Sequence, residues 1–100
     1  MSYKLQVSEK SEIEIQTAKV WYEKQSVGLG EKFADEIKES IDSLLNPIAD
    51  HKLVFKNLRR ILLHRFPYIV YYIRDEQNFL IEIIAVLHNK QSLDILENRI

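Results

Sequence analysis

Residues 57–87 read NLRRILLHRFPYIVYYIRDEQNFLIEIIAVL, and the way this run divides decides the fold. It is rich in Ile, Val, Leu, Tyr and Phe, side chains that fit a pleated, half-buried surface. It breaks at Phe66-Pro67 and again at the polar stretch Asp75-Glu76-Gln77-Asn78, both of which carry turn chemistry. Three strands follow, NLRRILLHRF, YIVYYIR and FLIEIIAVL, joined as an antiparallel meander. Alternation sets Tyr68, Val70 and Tyr72 on one face of the middle strand and Ile69, Tyr71 and Ile73 on the other. In the last strand the same rule sends Ile81, Ile83, Ala85 and Leu87 to the core. Glu82, Ile84, Val86 and His88 then share the open face, with His88 at its end and Lys90 just beyond.

Upstream the period changes. Tyr3, Leu5 and Val7 alternate with Lys4 and Gln6, which predicts a short first strand. Ser11 with Glu14 three residues on forms a capping box that starts a helix, and Ser8 is a competing cap one turn earlier. Ile15, Ala18, Trp21 or Tyr22, and Gln25 recur at helical spacing. The turn SVGLG breaks the pattern, its two glycines tolerating the positive φ of a chain that turns back. Phe33, Ile37, Ile41, Leu44, Leu45 and Ile48 line a second helix that Pro47 ends. The expected fold is α+β: an N-terminal strand and an α-helical hairpin packed on one face of an antiparallel β-sheet, the other face left to solvent or a partner. The tail, residues 91–100, suits either a short helix or a loose arm.

A chain of 100 residues has room for one core, so residues 1–100 form a single domain. The absence of cysteine removes disulfides and thiolate zinc sites and fits a reducing cytoplasm. No apolar run has the length of a membrane span and the first residues have no apolar signal-peptide region, so a soluble cytoplasmic protein is expected. The net charge of -1 hides an asymmetry. Positions 1–50 carry six Lys against ten Asp and Glu, whereas positions 51–100 carry eight Lys and Arg against five Asp and Glu. Lys52, Lys56, Arg59, Arg60, Arg65 and Arg74 fall in a stretch with no acid at all, a pattern suited to a polyanion or an acidic peptide.

Familiar catalytic motifs are missing. Gly28-Leu29-Gly30 follows a helix and has no phosphate-loop Lys, so it reads as a helix-helix turn. His51, His64 and His88 have no metal-ligand spacing, so neither a metal nor a small-molecule cofactor is expected. Phe66, Tyr68, Tyr71 and Tyr72 suit either core packing or the stacking of bases beside arginines. His88 at a strand end suits proton transfer near neutrality or a plain surface role.

The chain resembles the RelE/ParE superfamily of toxins from bacterial type II toxin-antitoxin systems. The likeness rests on AKVWYEKQSVGLGEKFADEI in the helical hairpin, NLRRILLHRFPYIVYYI in the strands and IIAVLHNK at the end, and spans nearly the whole chain. It implies a growth-inhibiting, plasmid-stabilising toxin neutralised by a cognate antitoxin, whose extended acidic segment wraps the surface. Arg59, Arg60, Arg65, Tyr68 and Arg74 are then the residues expected to meet target or antitoxin. Within the group, a ParE-like member poisons DNA gyrase without being an enzyme. A RelE-like member is a metal-independent, ribosome-dependent messenger endoribonuclease, for which Arg60 or Arg65 supplies charge and His88 or Lys90 moves the proton. The helical and central-strand blocks are closer to ParE. The chain lacks the dense Lys and Arg set and the C-terminal tyrosine of the nucleases, and after AVLH it has NKQSLDIL where many ParE-like members have an Arg-Asp-Pro run and a tryptophan. A degenerate toxin that keeps only antitoxin binding is the third reading.

Overall fold

The computed structural model describes residues 2–46, 51–91 and 93–100. Strand β1 (Lys4–Val7) leads into helices α1 (Glu9–Gln25) and α2 (Leu29–Ser43). Strands β2 (Leu53–Phe55), β3 (Leu58–Leu62), β4 (Tyr68–Asp75) and β5 (Leu80–His88) follow, and a short helix α3 (Asp94–Glu97) ends the chain. The five strands form one sheet in the order β1-β5-β4-β3-β2. β1 runs parallel to β5, and the other neighbours are antiparallel. The expected α+β architecture is therefore present, with one strand more than the periodicity offered. β2 is three residues between two lysines, too short to display a period, and it pairs with β3 because Lys56 takes a left-handed turn at φ 52°. Pro47 and Ile48, expected at the end of the second helix, lie outside the described residues.

Side chains from one helix satisfy the other. The N-cap of α1 is Ser8, not Ser11: the Ser8 Oγ accepts the Ser11 N–H at 3.1 Å. Ser11 is instead fully buried, donating its hydroxyl to the Ile83 carbonyl at 3.3 Å. On the inner face of α1, Ala18 and Tyr22 are buried, while Trp21 stays 55% exposed. At the turn only Gly28 has a positive φ, 90°. Gly30 is needed for space, because a Cβ there would lie 2.6 Å from the Lys19 carbonyl oxygen. The start of α2 has no capping side chain of its own, so Glu23 of α1 accepts the N–H groups of Gly28 and Gly30 at 3.0–3.1 Å. Phe33, Ile37, Ile41 and Leu44 of the α2 segment are buried; Leu45 points out.

A β-bulge divides the interior. Tyr71 stands opposite Ala85 and Tyr72 opposite Ile83, which leaves Ile84 as the extra residue of β5. Parity therefore reverses along β5. Ile81 and Ile83 face the helical hairpin, and beyond the bulge Val86 does so too, while Ala85 and Leu87 turn to the opposite face. The expected strict alternation through His88 is corrected by this one inserted residue. The opposite face is not open either: Leu58, Ile69, Tyr71, Ile84, Ala85 and Leu87 make a second cluster that Leu96 of α3 covers. The tail is thus a docked helix. It is held by Arg99, which donates to both carboxylate oxygens of Glu14, at 3.1 and 2.7 Å, and to the Ile84 carbonyl at 3.1 Å. Glu14 closes no capping box. It also accepts the Val86 N–H at 2.9 Å, on the edge of β5 beyond the reach of β1.

Arg99→Ala is expected to cost about 2–3 kcal/mol in denaturant unfolding, because it strands a largely buried carboxylate. Arg99→Lys should recover only part, since an ammonium cannot make the two-pronged contact. Gly30→Ala should cost about 1–3 kcal/mol by forcing the two helices apart.

Candidate functional site

The helical hairpin does not cover the sheet from end to end, and a cleft opens on either side of it. The first, about 520 Å³, lies where α1 passes the ends of β4 and β5, and is lined by Thr17, Ala18, Trp21, Tyr22, Pro67, Tyr68 and His88. Tyr68 and His88 are register partners whose rings meet edge to face at 5.3 Å. Tyr68 also packs against Tyr22 and Phe33. The expectation that His88 emerges on the open face is corrected: the bulge turns it to the helix face. Its Nδ1 accepts the Lys90 N–H at 3.1 Å, so the neutral ring carries its proton on Nε2. Its own N–H donates to the Gln91 side chain at 2.8 Å. Burial pushes the Tyr68 and Tyr22 phenols up, and Tyr68 adds to the effect on Tyr22. Among the described residues no Lys or Arg lines this cleft.

The second cleft, about 390 Å³, lies between α2 and the β3–β4 connection, with Glu36, Ser40, His51, Ile61, His64 and Arg65 in its wall. Glu36 is 4% exposed, yet it is fully engaged. It accepts the backbone N–H groups of His64 and Arg65, and the Arg65 guanidinium sits 3.5 Å away. A buried carboxylate so solvated by donors acts as a post for the loop. His51 meets the Tyr72 hydroxyl at 2.7 Å on the same side of the sheet.

The cations anticipated from the sequence do not converge. Arg59 donates to the His51 carbonyl at 2.6 Å, on the helix face with Tyr72. Arg60 stands opposite Tyr71 on the other face. Arg65 is tied to Glu36. Arg74 donates to the Leu44 carbonyl at 2.7 Å and lies 4.8 Å from the Tyr3 ring, capping the end of α2. Tyr68 and His88 come together; Arg65 and His88 line different clefts, and Lys90 is exposed past the strand end. Tyr71 and Tyr72 belong to the two cores. Glu36 escaped the sequence reading, and Glu14 entered it only as a capping-box residue. The one available signal was an acid at core spacing, Glu36 between Phe33 and Ser40. Among the described residues no cluster of His, Cys, Asp or Glu is suited to a metal, and no helix is long and apolar enough to cross a membrane.

Residues 5–93 match the family model of the ParE toxin of type II toxin-antitoxin systems. No curated protein matches the chain. Solved structures of toxins and toxin-antitoxin systems share the fold, three of them as follows. The chromosomal ParDE system of P. aeruginosa superposes with a TM-score of 0.69 at 16% identity, over 86% of this chain and 95% of that one. A mutant E. coli RelE toxin in the free state gives 0.64 at 17%, over 99% and 95%. The intact E. coli RelBE toxin-antitoxin complex gives 0.58 at 20%, over 89% and 99%.

The raised phenols give a pH signature. The folded state holds these protons more tightly than the unfolded one, so the stability they contribute is complete below the ordinary phenol value of 10.0 and falls as pH rises through it. Thermal melts across the alkaline range should show this loss, and Tyr68→Phe should flatten it.

Proposed function

The chain belongs to the ParE toxin family of type II toxin-antitoxin systems, and on that premise we propose that it arrests growth by binding a protein target, DNA gyrase, and is silenced by a cognate antitoxin. The antitoxin part of the reading draws support from the similar structures, which are toxin-antitoxin systems. The target part draws support from the placing of the cations. Metal-free cleavage of RNA needs an acid-base pair and cations around the phosphorus as charge builds on its oxygens. Here the cleft that holds His88 is lined by aromatic and small side chains, while Arg59, Arg65 and Arg74 are engaged elsewhere in the fold. Such a cleft favours binding through packed rings over phosphoryl chemistry. The ribonuclease built on His88, Lys90 and Arg65 is the second reading, favoured only by the open Tyr68–His88 wall.

The deciding experiment frees the protein from a co-expressed antitoxin and runs two reactions side by side: gyrase supercoiling, and cell-free translation with mapping of message 5′ ends. Inhibited supercoiling with an intact message is the expected result, and His88→Ala and Arg65→Ala should leave growth arrest within about twofold of the parent, about 0.4 kcal/mol. New 5′ ends that require ribosomes and His88 would overturn the proposal in favour of the nuclease. Folded protein that still binds its antitoxin but does neither would make it an inactive relative.

A further inference from the structure

A row of rings walls the cleft between α1 and the ends of β4 and β5. Trp21, Tyr22 and Tyr68 stand edge to face, their successive centroids 5.1 and 6.1 Å apart. Trp21 is the most exposed of the three. The hydroxyls of Tyr22 and Tyr68 make no hydrogen bond among the described residues, yet neither is sealed from solvent, so both open into the cleft that they line. Burial raises both phenols above their ordinary value, which keeps them protonated and uncharged with oxygen lone pairs to offer. Thr17, exposed in the same wall, adds a third hydroxyl. His88 closes the far side as a donor, since the Lys90 N–H occupies its Nδ1.

Among the described residues this wall holds neither an acid nor a Lys or Arg, and Lys90 stays outside it. The helical hairpin behind it is acidic, with nine Asp and Glu against five Lys in α1 and α2, so a cation is drawn to this side of the molecule. Candidate occupants differ in what they leave unmatched. A phosphate or carboxylate meets no cation here. An apolar side chain fills the space but leaves the hydroxyls without water or a partner. An ammonium suits the rings but holds its hydration strongly, whereas a guanidinium is planar, weakly hydrated, stacks on ring faces and carries several N–H donors. We propose that the cleft receives the guanidinium of an arginine side chain on the toxin's protein target. Its plane lies against the Trp21 and Tyr68 rings, and its N–H groups donate to the Tyr22 and Tyr68 hydroxyls. The inference rests on the reading that the target is a protein, and it names the group by which that protein is held.

Trp21 is the sole tryptophan of the chain, so its fluorescence reports on this cleft directly. The full chain is titrated with acetyl-arginine-amide and, in parallel, with the citrulline analogue, which has nearly the same shape and no charge. Arginine should change the emission saturably, and citrulline should bind about tenfold more weakly, about 1.4 kcal/mol. Tyr68→Phe keeps the ring, drops the hydroxyl and should weaken arginine about threefold. Thr17→Lys, at an exposed position, places a cation in the wall and should abolish binding. The melting curve of each variant reports whether it folds, and the citrulline comparison needs no variant. Equal binding of citrulline, tighter binding of the phenylalanine analogue, or no saturable response would each overturn the proposal. The assay contains no gyrase: a preference for arginine stands whatever happens to supercoiling, and inhibited supercoiling without that preference retires this inference alone.

Discussion

One carboxylate joins three parts of the chain. Glu14 projects from α1, takes the β5 amide just past the bulge and receives the two-pronged guanidinium of Arg99. Without the bulge the amide and the Ile84 carbonyl would not both face this point, and Arg99 anchors the last residues to the sheet. Both side chains are largely buried, 13% exposed for Arg99 and 20% for Glu14, and the cost of desolvating them is offset because each charge keeps strong donors or acceptors. Its consequence is architectural. It fixes which face of β5 each residue presents, and hence that the sheet has two packed faces where simple alternation gives one.

The fold was legible wherever a period ran uninterrupted. β4 alternates as expected, with Val70 and Tyr72 under the helices and Ile69 and Tyr71 on the far side. The hairpin was legible from its apolar stripes and its glycines. What could not be read was any feature set by contact between distant residues. Ile84 is apolar like its neighbours, so nothing in its side chain marks the inserted position. Ser8 and Ser11 are chemically alike, and the choice between them is made by the Ile83 carbonyl waiting on β5. β2 has too few residues to show a pattern.

The site was less legible than the fold, for an electrostatic reason. A run of cations without acids in sequence says nothing about the carbonyls and carboxylates that tertiary structure brings to them. Arg74 ends on the last carbonyls of α2, Arg59 on a backbone oxygen and Arg65 on Glu36. The positive stretch is thus largely taken up by partners within the fold, and among the described residues Lys52, Lys56 and Arg60 at its beginning have no carboxylate or carbonyl partner for their side chains. The histidine read from the last strand did arrive at a cleft, but in aromatic company.

The parallel pairing of β1 with β5 has a consequence for the chain while it is being made. Every other strand meets its partner soon after it emerges, and the helical hairpin caps itself through Glu23. β1, made well before the other four strands, has its register partners only in residues 80–83, and Arg99 follows later still. An early fragment therefore carries an unpaired strand and an apolar helix face with no sheet beneath them. Products of translation that stop before β5 are incomplete in both cores, so the finished surface exists only on chains that extend past Arg99.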